Sequence, residues 1–244
     1  MSTHSSRFYI GLVVTIILGF VVVALIWLAF YTTDVGTGSR WAPVLKAKIT
    51  GPGTAELDLA TYPDSNVCHP DDSSQQSTWV TYCAGDNNAV NQIELPPNSV
   101  ITVIIKQYDS STPLINSYFS QVRGTLDGTA MLNGKSFNQI SPDQPAHTFT
   151  IQSTPNSPYP IFVSVPLAGT PNNAPTPITI NGNQYPQPNV IQFQFRTGPA
   201  GITYLWHCYD PCGDTQYGRS APFGFSGPMW TLGYMAGTIS VTNY

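Results

Sequence analysis

The 244-residue chain has only 9% charged side chains and a formal net charge of -4, where an ordinary soluble domain is about 25% charged. No basic cluster or stripe occurs, which excludes nucleic-acid binding, and the polar surface has to come from Ser, Thr, Asn and Gln. Such a surface suits an acidic exterior, where carboxylates are protonated and a positive excess would strain the fold; a face turned to lipid or protein accounts for it equally.

From Phe8 to Tyr31 the chain runs without a charge, long enough for the roughly 20 apolar residues that cross a bilayer as helix. A secretory signal has a shorter apolar run, about 7–15 residues, ending in a small-residue cleavage site, which is not evident here. Trp27, Phe30 and Tyr31 sit at the far end, as interfacial aromatics do, and Arg7 votes for a cytoplasmic N-terminus. The expected layout is a cytoplasmic stretch 1–7, a transmembrane helix 8–31, a linker 32–42 and an extracytoplasmic domain 43–244. The chain is then a single-pass protein of the cell membrane.

Outside the cytoplasm thiols oxidise unless something else uses them. Cys68 and Cys83 flank a polar loop with little apolar content to hold it, so a disulfide between them is expected. On the chain-entropy account, closing a loop of about 15 residues contributes roughly 3 kcal/mol.

Trp41 to Ile49 reads as a first strand, and Val100 to Ile105 as a buried one. His147-Thr148-Phe149-Thr150-Ile151 alternates, placing His147, Phe149 and Ile151 on one face. Ile161 to Val165 and Ile178 to Ile180 follow, the second closed by the hairpin-type pair Asn181-Gly182. Val190 to Phe195 alternates, and Tyr204, Trp206 and Cys208 share one face of the next strand, so His207 points the other way. Short helical turns are expected between Leu114 and Leu132. Many short strands with Gly/Pro turns, and 22 prolines spread through the connections, mean an all-β sandwich or barrel.

Near the C-terminus stands Trp206-His207-Cys208-Tyr209-Asp210-Pro211-Cys212-Gly213, followed by a Gly/Pro-rich loop and a closing strand from Gly233 to Val241. Two thiols four residues apart, Met235 and the upstream His147 are soft and borderline ligands. They suit copper better than magnesium or calcium. The same residues also have structural uses: His147 as a hydrogen-bonded core histidine, Cys208 and Cys212 as a disulfide, Met229 and Met235 as packing against aromatics. No G-x-S-x-G, H-E-x-x-H or P-loop occurs, and the chain alone is not expected to turn over a substrate.

The order of anchor, β-domain, A-H-T-F-T strand, W-H-C-x3-C-G and M-x-G-x-I-x-V resembles the cupredoxins, and within them subunit II of haem-copper terminal oxidases. The resemblance covers the anchor and, more specifically, Asp143 to Val241. It implies a cupredoxin-like Greek-key β-sandwich with one N-terminal transmembrane helix. It also implies a two-copper (CuA) centre that passes electrons to the haem-copper subunit. His147 would match the upstream ligand, Cys208 and Cys212 the bridging thiolates and Met235 the weak ligand. The Asp210 backbone carbonyl would be a further ligand. The family pattern C-x3-C-x3-H-x2-M needs a second His, but Gln216 stands at the fourth position after Cys212 and Leu232 three before Met235.

Three readings follow. The first is a terminal-oxidase subunit II whose electron-entry copper is altered or lost, as in quinol-oxidising relatives. Its partners would be haem-copper oxidase subunit I and other membrane subunits, its electron donor a quinol or a small copper protein. The second is a membrane-tethered carrier with a mononuclear copper, which needs two His where one is evident. The third is a non-catalytic accessory cupredoxin-fold subunit. The first fits the missing imidazole best, with Cys208 and Cys212 able to oxidise together.

Overall fold

The computed structural model describes residues 3–32, 44–69, 79–85, 87–171, 177–210, 227–229 and 231–244. Met1–Thr37 and Gly38–Tyr244 form two compact units.

The first unit holds a helix, α1 (Thr3–Thr32). Its described side chains, Tyr9 and residues 11–26, are uncharged and exposed. The single polar side chain among residues 11–26, Thr15, turns its hydroxyl back onto the Gly11 carbonyl at 3.0 Å, so no polar face forms. That described stretch is short of a bilayer span, and among the described residues no helix is long and apolar enough to cross a membrane.

The second unit is built of strands. In chain order they are β1 (Leu45–Lys46), β2 (Lys48–Gly51), β3 (Thr54–Tyr62), β4 (Thr81–Ala84), β5 (Gln92–Leu95), β6 (Val100–Gln107), β7 (Ala130–Leu132) and β8 (Lys135–Phe137). There follow β9 (Pro145–Ser153), β10 (Phe162–Ala168), β11 (Ile178–Ile180), β12 (Asn183–Tyr185), β13 (Asn189–Arg196), β14 (Thr203–His207) and β15 (Ala236–Val241). One sheet runs β1-β5-β15-β14-β9-β10; the other runs β2-β3-β6-β13-β7-β8, with β4 beside β3. Leu57, Val103, Ile105 and Phe193 of the second sheet share one buried cluster with Ile151, Val165, Trp206 and Ile239 of the first. The alternation that marked these runs in the sequence is thus the inner face of a β-sandwich.

Two expectations change. Trp41 to Ile49 is not one strand: Ala47 donates its N–H to the Glu94 carbonyl at 3.0 Å, and β1 and β2 on either side of it join different sheets. Between Leu114 and Leu132 only a 3-10 turn, Ser117–Ser120, forms, capped by the Asn116 side chain. The rest of that stretch enters β7, whose hairpin to β8 turns on Asn133 and Gly134, both at positive φ. The Asn-Gly signal for a hairpin was in the sequence there, as at Asn181 and Gly182 between β11 and β12. Strand β9 is also buried on both faces from Pro145 to Ile151. Tyr209 lies over its outer face, donating its N–H to the Thr148 hydroxyl and its own hydroxyl to Gln152, and Phe119 stacks on Tyr209 with ring centres 4.6 Å apart.

Candidate metal centre

Strand register brings the candidate ligands to one end of the first sheet. Antiparallel β14 and β9 pair Trp206 with Ile151 and His207 with Thr150, while β14 and β15 pair His207 with Ala236. One step beyond, the Cys208 N–H donates to the Met235 carbonyl at 3.0 Å. His147, Cys208 and Met235 are all fully buried. His207 falls on the outer face, half-buried against the Tyr209 ring at 4.0 Å, as its parity required.

The Cys208 thiol has a polar surround. The Thr148 N–H donates to Sγ at 3.3 Å, and the Asp210 carbonyl lies 3.5 Å away. A backbone N–H aimed at sulfur favours the thiolate, the form that binds metal. Below it the Trp206 indole meets Tyr82 and Phe149. The indole leaves no room at position 237, where an added Cβ would come within 2.4 Å of Trp206 Nε1 and 2.2 Å of the Asn91 carbonyl.

The His147 ring lies between two groups. Its Nε2 is 3.2 Å from Asp109 Oδ2, an ion-pair distance, and it also interacts with Cys208. Burial by itself pushes the imidazole pKa down, but Asp109 and then Cys208 outweigh it, and the value is pushed up to about 10. His207 moves the opposite way: burial lowers its pKa, and contact with Cys208 offsets that only in part. Asp109 also lines an open cavity of about 370 Å³ with Tyr108, Thr170 and Tyr185, so its carboxylate stands between that cavity and the buried ring. Asp109 lies outside every motif in the sequence, 38 positions before His147.

The other candidates take separate places. Cys212, like Gln216, lies outside the described residues. Leu232, where the family pattern asks for an imidazole, is 43% exposed and off the buried row. Cys68 and Cys83 are joined by a disulfide. His69, next to Cys68, stacks on Tyr234 with ring centres 4.4 Å apart, and its Nε2 meets the Gly233 carbonyl at 2.7 Å. Tyr82 donates its N–H to the Tyr234 carbonyl at 2.8 Å. The disulfide region therefore grips the turn that carries Met235, a contact no local sequence signal announced.

Among the described residues, no three or more His, Cys, Asp or Glu side chains are grouped so as to hold a metal. The donors at this end are one borderline imidazole and two soft sulfurs, a thiol and a thioether, a set that fits copper.

Two packed sheets with His147, Cys208 and Met235 buried at one end make this unit a two-sheet β-sandwich. No protein family and no curated protein matches the chain. Among solved structures it is similar to a rusticyanin variant, at 13% identity and a TM-score of 0.35, over 80% of this chain and 85% of that one. It is similar to rusticyanin from Thiobacillus ferrooxidans at 12% identity and 0.32, over 80% and 86%. A chain of a heme-copper terminal oxidase dimer aligns at 12% identity and 0.29, over 97% and 99%. At these scores the likeness carries no argument, and the chain's own residues must carry it.

Proposed function

We propose that this chain is a membrane-anchored, subunit II-like cupredoxin component of a respiratory terminal oxidase complex, with an altered copper site at the His147–Cys208–Met235 end. The supporting observation is the register that places Cys208 beside Met235 and brings its thiol to the Thr148 N–H, the residue next to His147. Copper held there would supply one-electron transfer. The protein's part is to bury the donors, to aim the Thr148 N–H at the sulfur and to hold the imidazole from its far side through Asp109. The site departs from the two-copper pattern because neither histidine near it serves as a second ligand. His69 is spent on the Gly233 carbonyl and His207 faces outward.

The uncharged run Phe8 to Tyr31 within α1 supports the anchor, with the β-domain outside the cytoplasm, where the Cys68–Cys83 bond can persist. Haem-copper oxidase subunit I and other membrane subunits would be the partners. Metal content and visible absorption of the purified complex test the reading. An altered but working site gives copper in this subunit and a thiolate-to-copper band that Cys208→Ser removes. A full two-copper spectrum would overturn the altered site, and a colourless, copper-free subunit would leave the chain a structural role.

A further inference from the structure

We propose that Asp109 is the positioning residue of this site: its carboxylate, 3.2 Å from Nε2, holds the His147 ring in place. The proposal deepens the copper reading, and one arm of its test is independent of it. Asp109 comes from the opposite sheet, two residues past the end of β6, and is held on several sides. Its N–H donates to Gln107 Oε1 at 3.2 Å. Its carbonyl accepts from Gln107 Nε2 at 3.1 Å, from the Thr170 N–H at 2.8 Å and from the Thr170 hydroxyl at 3.0 Å.

Gln107 is itself fully buried and hydrogen-bonded to the Thr61 hydroxyl. One carboxylate oxygen, Oδ1, accepts the Ser110 N–H at 2.7 Å, and this leaves Oδ2 aimed at His147. A carboxylate fixed this firmly orients the ring it touches, and removing such an outer partner lowers metal affinity about 10–100-fold. Because Asp109 follows a strand of one sheet and His147 lies in the other, the packing of the two sheets sets the ring's orientation.

The test uses the purified full-length chain, labelled with 15N-histidine, and the Asp109→Asn variant. In the metal-free wild type the His147 Nε2–H signal, assigned by its loss in His147→Gln, is expected downfield and slow to exchange. Asp109→Asn should move it upfield and speed its exchange, while the folded spectrum persists. An Nε2–H signal equal in the two proteins overturns the proposal. In the metal arm, Cu(I) competition against a chelator should show a 10–100-fold weaker site in Asp109→Asn, and unchanged affinity again overturns it. Should the wild type take up no copper, the electron-transfer reading falls and the imidazole signal still decides on Asp109. Should Asp109→Asn fail to fold, Asp109→Glu keeps the charge but displaces it by one methylene. It is expected to shift the Nε2–H signal, and no shift counts against the assignment.

Discussion

The inner and outer faces of β9 and β14 are built from alternate residues of the same two strands, yet they do different work. Inward point His147, Phe149 and Ile151 from one strand and Tyr204, Trp206 and Cys208 from the other, all essentially without solvent contact. Outward point Thr148, Thr150 and Gln152, His207 and Tyr209, tied by hydroxyl hydrogen bonds and covered by Phe119. His207 adjoins a candidate ligand in sequence but lies off the buried row, whereas His147 reaches Cys208 from another strand. Strand parity decides which histidine shares the buried row with Cys208; closeness along the chain does not.

Breaking the inner face should have the largest effect. Trp206→Ala is expected to destabilise the metal-free protein by about 3–5 kcal/mol, measured by chemical denaturation. A loss as small as an outer-face change would mean that the two faces are not as unequal as described. Gly237→Ala should cost about 1–3 kcal/mol by overpacking against the indole and the Asn91 carbonyl.

The two histidines can then be set against each other by pH. His147 has a folded pKa raised from 6.5 to about 10. Its stabilisation is therefore fully present below pH 6.5 and is lost as pH rises through about 10. His207 has a lowered folded pKa, so the unfolded chain takes up its proton first and stability falls as pH drops below 6.5. Denaturation midpoints of metal-free His147→Gln should lose the alkaline decline, and those of His207→Gln should lose part of the acid one. Declines that stay with the wrong variant would reverse the assignment of the two rings. The smallest effect is expected from Tyr209→Phe, which removes the 2.7 Å hydrogen bond to Gln152 at a cost of about 0.5–1.5 kcal/mol. It should leave any copper absorption where it is.

The face-by-face pattern was legible because period-two alternation is a local property. His147, Phe149, Trp206 and Cys208 were placed on inner faces from spacing alone, and the structure puts them there. Legibility ended where the chain returns from a distance. Asp109 follows β6 by two residues and reads as an ordinary turn acid, with nothing nearby to mark it as the neighbour of His147. Burial of the outer face of β9 was missed for the same reason, since Phe119 and Tyr209 meet only after folding. The hairpin at Asn133 and Gly134 had its local Asn-Gly signal, within reach of the stretch expected to form short helical turns. Cys212 and Gln216 lie outside the described residues, so the thiol pair stands as a sequence expectation.

The grip of the disulfide region on the Met235 turn ties together two stretches far apart in the chain. Cys68 and Cys83 are bonded, and the residues beside them, His69 and Tyr82, hold Gly233 and Tyr234. What looks in the sequence like a clip on a distant polar loop is thereby also a brace, through hydrogen bonds from the residues beside it, for the turn that presents Met235.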